Sequence, residues 1–460
     1  MTGLIVKRIV LLKAMTETAV PDRSRPRLVR VIGRWSLAAL TINSMIGSGI
    51  FGLPSQMARL TGAGSPLAVL IAAAATSIVM GCYAELASYF TEAGGPYLYG
   101  REAFGPLVGI EIGWLLWLAQ LSACAANTNL FVIYLGQFWV LANHPAPRIF
   151  VLTTLVGFLA AVNYRGVRGG TKVSNIFTIA KLLPLVIVVA AGTFYIAGHR
   201  IASATQVQMG SSNWLKAILL MFFVYGGFET ALVPMSEATN PRRDAVFALF
   251  TALTGATILY TLIQWIVIRV IAGPFTSERP LAEIADVVLG RGGASFVALG
   301  ALIACYGYLT AKMVAVPRIT FALAERGDFP KIFSAVHSQF HTPYVSILVF
   351  SVLIWLLALI GDFSWNVTLS ACARLFYYAA ACAGLLVLRR KRPGGAGFQL
   401  PGGAFLGLVG IVICLVLITQ IDMSKSLFLF AALLAGLLNW LWLRARSSRQ
   451  KADSADFTSF

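Results

Sequence analysis

The chain has 460 residues, 58% of them hydrophobic and only 12% charged, with a mean hydropathy of +0.79. Soluble domains carry about 25% charged residues, so an ordinary water-soluble fold is excluded; many windows of about 20 residues are nearly free of charge, the length a bilayer core requires. The formal charge of +18 would suit a nucleic acid, but it is concentrated in the segments between apolar runs, which makes it a topology signal and argues against nucleic acid.

The first 34 residues form a basic N-terminal segment. Its apolar run is interrupted by Lys7, Arg8 and Lys13, which makes a poor signal peptide. Two readings stay open for it: an amphipathic stretch on the cytoplasmic leaflet, or translation that begins at Met15. Twelve spans follow, at roughly 35–58, 66–90, 106–136, 148–163, 173–197, 214–236, 246–272, 294–323, 343–360, 365–388, 403–421 and 426–443. The expected fold is therefore an all-α polytopic membrane protein. The transporter domain is 35–445, with one repeat over about 35–197, a second over about 214–388 and two further helices over about 403–443. Residues 446–460 form a polar tail. Of the lysines and arginines, 24 fall on the side of the termini and 7 on the other, with five inside spans. That bias predicts cytoplasmic N- and C-termini. All six cysteines lie in apolar spans without metal-ligand spacing and read as helix-packing thiols. No metal or cofactor is expected.

Two spans carry glycine at a depth that does not suit a helix. "MIGSGIFGLP", from Met45 to Pro54, places Gly47, Gly49 and Gly52 in span 1, and "FFVYGGFE", from Phe222 to Glu229, places Gly226 and Gly227 in span 6. Both clusters begin 12 residues into their spans, about 18 Å deep at 1.5 Å per residue. Five spans separate them, an odd number, so span 6 enters from the opposite face and the two halves read as inverted repeats. Paired glycine-interrupted segments point to the central site of a transporter; close helix packing is the alternative reason for such glycines. Breaking span 1 exposes amides near Ser48, Gly49 and Ile50, which suit a carboxylate. Breaking span 6 exposes carbonyls near Phe223, Val224 and Tyr225, which suit an ammonium. Together with Ile46, Gly47, Gly226 and Gly227 these residues predict a site for an α-amino acid backbone.

These residues resemble the signatures of the amino acid–polyamine–organocation (APC) superfamily, which has the LeuT-like fold of two inverted five-helix repeats with broken helices 1 and 6. "AELASYFTEAGGPYLYGREAFGP" (84–106), "SEATNPRRD" (236–244), "PRITFALAERGDFPKIF" and "HTPYVSI" (317–347) follow in family order. The chain departs from the family pattern at Thr91-Glu92 and at Ala245, both in loops. The resemblance implies a secondary transporter of amino acids in the inner membrane, working by alternating access, and no enzyme activity.

It also implies roles for charged residues. Lys181 in span 5 sits where sodium-coupled relatives hold sodium, so its amine is expected to couple transport to protons; a snorkelling lysine is the alternative. Glu229 is expected to gate or sense pH, or to be a structural cap. Arg318 resembles an inner-gate arginine, Arg374 sits where relatives often have arginine, and Glu85 has a structural or gate role. Arg269 reads as snorkelling and Glu111 as interfacial, otherwise as a site for a cationic side chain or a proton. Lys312 is given no partner. Asn127 in span 3 is a substrate-binding candidate, and Tyr225, Phe228 and Tyr306 are candidate aromatic lids. The expected partners are an amino acid, with a polyamine as a variant, protons and membrane lipid; oligomeric state is not specified. Proton symport is the favoured activity, with amino acid/amine exchange and an amino-acid-sensing receptor as alternatives. Glu111 and Glu229 slightly favour a cationic substrate; if neither faces the cavity, a neutral or apolar one is expected.

Overall fold

The computed structural model describes residues 33–90, 94–166, 171–199, 210–232, 240–271 and 273–457. The N-terminal basic segment, the Thr91-Glu92 departure and most of "SEATN" lie outside them. Among the described residues every regular element is helical. The helices are α1 Arg34–Met45, α2 Gly49–Gly52, α3 Pro54–Thr61, α4 Ser65–Tyr89, α5 Gly95–Phe104, α6 Pro106–Leu135, α7 Pro145–Tyr164 and α8 Thr171–Gly198. They continue as α9 Ser211–Tyr225, α10 Phe228–Ala231, α11 Pro241–Val270, α12 Pro280–Glu325, α13 Tyr344–Ile360, α14 Phe363–Lys391, α15 Gly403–Ile418 and α16 Met423–Phe457.

Local sequence explains many of the boundaries. Pro54, Pro106, Pro145, Pro241 and Pro280 each open a helix, where the missing amide costs nothing and the fixed φ already suits the first turn. Among the described residues eight helical segments are long and apolar enough to cross a membrane, and α9, α13 and α15 are shorter apolar helices. The outward surface agrees: Phe194, Phe405 and Leu427 are each more than 60% exposed. Such a surface would be a liability in water and is ordinary against lipid. The protein is a multi-pass membrane protein. Two boundaries differ from the sequence expectation. Helix α12 begins at Pro280, well before the predicted span, and bends at Gly290 (φ 74°); helix α16 runs on to Phe457 through the segment expected to be a tail.

The central scaffold is α6 packed on α14, with α12 and α16 also against α6, and α11 laid across α1 and α4. Small residues allow the close approaches. A Cβ on Gly300 would strike Pro184, the proline inside α8, and a Cβ on Gly52 would strike Phe363 and Leu130. The six cysteines are buried and free. Charged groups at the helix ends are paired across the bundle. Glu85, at the end of α4, takes two bonds from Arg389 (2.7 and 2.6 Å) and one from the Leu400 amide (2.8 Å). Tyr97 and Arg101 of α5 both bond to Asp328, beyond the end of α12, and Asn439 of α16 donates to the Asp328 carbonyl (2.6 Å).

Removing one partner of a buried pair leaves the other uncompensated, at a cost of about 3–5 kcal/mol. Arg389 retains some exposure (28%), so Glu85→Ala is expected to destabilise the detergent-purified protein by the lower figure, about 3 kcal/mol. Denaturant unfolding checks this; an unchanged midpoint would refute the assignment.

Candidate functional site

Helix α1 stops at Met45. Ile46 is extended (φ −79°, ψ 90°), and the chain resumes helical geometry at Gly49. Helix α9 stops at Tyr225; Gly226 is extended (φ −68°, ψ 166°), Gly227 has φ +106°, and α10 starts at Phe228. The breaks lie against each other. The Ser44 hydroxyl donates to the Gly227 carbonyl (2.8 Å), and a Cβ on Gly49 would lie 2.8 Å from Val224. Gly227 is obligatory on two counts. Its φ is in the left-handed region, where a side chain costs energy, and a Cβ there would overlap the Ser44 carbonyl oxygen.

A break orphans backbone groups that lipid cannot satisfy. The carbonyls at the end of α1 find partners within the protein. Lys181, reaching in from α8, donates its Nζ to the Asn43 carbonyl (2.6 Å) and the Ile46 carbonyl (2.7 Å). Gly47 donates its amide to Met45 O (3.0 Å), which also takes the Tyr260 hydroxyl (3.3 Å). A cation at a helix C-terminus is favourable besides.

Between the breaks lies a small cavity of about 10 Å³, room for about one water as it stands. Gly47, Ser48 and Gly49 line it from the first break, and Phe223, Val224 and Gly226 from the second. Asn127 of α6, Tyr308 of α12 and Arg374 of α14 close it. Three polar atoms around it are buried without a protein partner: Ser48 Oγ, Asn127 Oδ1 and Arg374 Nε. The first amides of α2 start a helix and have no preceding turn to bond to. The cavity thus presents amide donors, a hydroxyl, an amide oxygen and a guanidinium in a mostly polar lining.

Glu229 lies beside this cavity, fully buried. Its Oε1 accepts from Arg374 Nη1 and the Tyr377 hydroxyl (2.9 Å). Its Oε2 accepts from the Tyr378 hydroxyl (3.1 Å) and the Gly227 amide (2.9 Å). Glu229 lines a larger cavity of about 170 Å³, bounded by Trp117, Gln120 and Thr320 and reaching to Arg326 and Phe329. The Glu229–Arg374 pair therefore stands between the two spaces.

The sequence pattern of amino acid permeases matches residues 32–437. The chain belongs to the amino acid permease family. This permease is 26% identical over 458 residues to a branched-chain amino acid permease of Bacillus subtilis, covering 95% of this chain and 98% of that one. It is 29% identical over 440 residues to an arginine/agmatine antiporter of Chlamydia felis, covering 88% of each. It is 27% identical over 406 residues to cationic amino acid transporter 4 of mouse, covering 83% of this chain and 62% of that protein.

Not every residue singled out in the permease sequence meets the central cavity. Gly47, Ser48, Gly49, Asn127, Phe223, Val224 and Gly226 line it. Ile46, Ile50 and Gly227 belong to the breaks but are not among its lining residues. Tyr225 turns to the scaffold, with its hydroxyl on the Val69 carbonyl (3.4 Å) and its ring beside Tyr260. Phe228 stacks on Tyr378 and meets Tyr83 edge-on, both at 5.4 Å between centroids. Tyr306 does not line the cavity; Tyr308 does, two residues and about 200° further round the helix. Arg318 is exposed and donates to the Val314 carbonyl of its own helix (2.7 Å). Glu111 packs against Gly436 of α16, away from the cavity. Lys312, given no partner by the sequence, has its ammonium 5.4 Å from the centre of the Tyr308 ring. Sequence reasoning missed Ser44, Tyr308 and the cavity-facing role of Arg374. The Ser44 position, one turn before the glycines, was the available signal for the first.

Gly227→Ala should weaken amino acid binding by about tenfold or more, since a left-handed residue with a side chain costs about 1–2 kcal/mol before any clash. Isothermal titration on protein that still elutes as a single species checks this; unaltered affinity would remove the second break from the site.

Proposed function

We propose that this permease moves an amino acid across the cytoplasmic membrane by alternating access around the paired breaks, driven by the proton gradient. The observation that carries the reading is the pair of facing breaks, with unpaired donors and acceptors around one small cavity. The polypeptide is read as twelve spans. The first is the broken α1–α3 segment, and the remainder are the eleven long or shorter apolar helices that follow, with α4 as the second. The two halves are read as inverted repeats of five, and both termini as cytoplasmic, on the strength of the lysine and arginine bias. The larger cavity then opens toward the cytoplasm, and the layer of Glu229, Arg374, Tyr377 and Tyr378 is the barrier that must part for substrate to pass.

Proton coupling rests on Lys181. An ionisable group inside a membrane protein is costly and is kept for function. Here the protonated amine holds two carbonyls of the first break together, so loss of the proton weakens the contact that sets the break's shape. Loading and release of one proton is thereby tied to the geometry of the substrate site. Exchange is the second reading, favoured by the similarity to an arginine/agmatine antiporter.

In proteoliposomes that contain no amino acid, an inward proton gradient should drive uptake of a labelled amino acid, and Lys181→Ala should reduce that uptake to background. Uptake that appears only after preloading with amino acid or amine would establish exchange instead. Gradient-driven uptake that survives in Lys181→Ala would remove Lys181 from coupling.

A further inference from the structure

The two bacterial relatives differ in the charge of the substrate their names print, one being a branched-chain permease and the other an arginine/agmatine antiporter. The charges around the central cavity decide between these classes for this chain. Among the described residues that line it there is no carboxylate, and there is one guanidinium, that of Arg374. Arg374 is 2% exposed, and its cationic neighbour Lys312 is also buried.

Glu229 is the acid closest in role to a partner for a cationic side chain, yet it has no capacity left. A carboxylate has about four lone-pair sites. Those of Glu229 are taken by Arg374, Tyr377, Tyr378 and the Gly227 amide. Glu111 of α6 is turned to Gly436, and Glu85 of α4 is bonded to Arg389. The guanidinium is also held in place. A Cβ on Gly226 would overlap it, so the glycine is what lets Arg374 lie against the second break. Its Nε is a buried donor without an acceptor in the protein, on a side chain that borders the cavity.

We infer that Arg374 is a specificity-determining residue that restricts the central cavity to amino acids without a positively charged side chain. The inference rests on the transport reading above. An incoming lysine, arginine or agmatine places its cation beside a fixed, desolvated guanidinium, with every lone pair of Glu229 occupied. Arg374 and Glu229 form a pair that is neutral overall, but it is the guanidinium end that borders the cavity, and that end repels a cation placed against it in a water-poor site. A neutral side chain meets no such penalty, and an acidic or acceptor-bearing one can take the free Nε–H. Asn127 Oδ1 and Ser48 Oγ remain for the ammonium that every α-amino acid carries.

The test is thermal stabilisation of the purified wild-type permease in detergent by leucine, alanine, glutamate, lysine, arginine and agmatine, followed by competition in the proteoliposome uptake assay. The expected result is stabilisation and competition by neutral or acidic amino acids, with the three cationic compounds weaker by at least about tenfold. Equal or stronger effects of lysine, arginine or agmatine would overturn the inference while leaving amino acid transport intact. No response to any amino acid would overturn the transport reading and the inference with it. In the double variant Glu229→Gln/Arg374→Gln, which removes the pair without stranding either charge, the discrimination against arginine should shrink by about tenfold. Retained discrimination in a folded double variant would assign selectivity elsewhere. If that variant does not fold, the wild-type panel alone decides.

Discussion

A peptide group without a partner cannot be left facing lipid, and this constraint organises the centre of the permease. Each break in a membrane helix releases several amides and carbonyls at a depth where water is absent. The first break is held by Lys181 from α8 and Tyr260 from α11, and the second by the Ser44 hydroxyl of the first. Each break is thus completed by elements far away in sequence. Among the residues that line the cavity, Ser48, Asn127 and Arg374 each keep a buried polar atom without a protein partner.

The charged residues follow the same economy. Glu229 and Arg374 are both buried and bonded to one another, and two tyrosines and a backbone amide complete the carboxylate. A buried ion pair adds little net stability unless the remaining lone pairs are satisfied, and here they are. Its position between the small central cavity and the larger one gives it a second consequence, because opening a path between them means separating a pair whose partners are otherwise costly to expose to an apolar surrounding. Lys181 is different in kind. It binds neutral carbonyls rather than an acid, so its charge is compensated only by dipoles.

Much of the scaffold was legible because hydropathy and length are strong signals in a membrane protein. Most helix limits fall within a few residues of those read from the apolar runs, and the positions of both breaks follow from glycine alone. Facing is harder to read. Tyr306 and Tyr308 are equally aromatic and equally deep, but a two-residue step turns a helical side chain by about 200°, so composition does not say which one meets the ligand. Tyr225 and Phe228 flank the second break in sequence, yet they pack into aromatic contacts with Tyr260 and with Tyr83 and Tyr378. Arg318 folds back on its own helix, whereas Arg101, unremarked in the sequence, joins Tyr97 at Asp328.

By itself the sequence determined that the protein resides in a membrane, roughly where its helices run, and that two of them are interrupted at glycine. It could do so because the bilayer imposes a length and a polarity on each segment separately, and because glycine acts through the backbone of its own segment. Tertiary structure decided which side chains meet. The pairing of Glu229 with Arg374 spans 145 positions, and that of Lys181 with Asn43 spans 138. Such distances carry no periodic signal, and the sign of the charge presented to a substrate depends on which partner turns toward the cavity once the helices have packed.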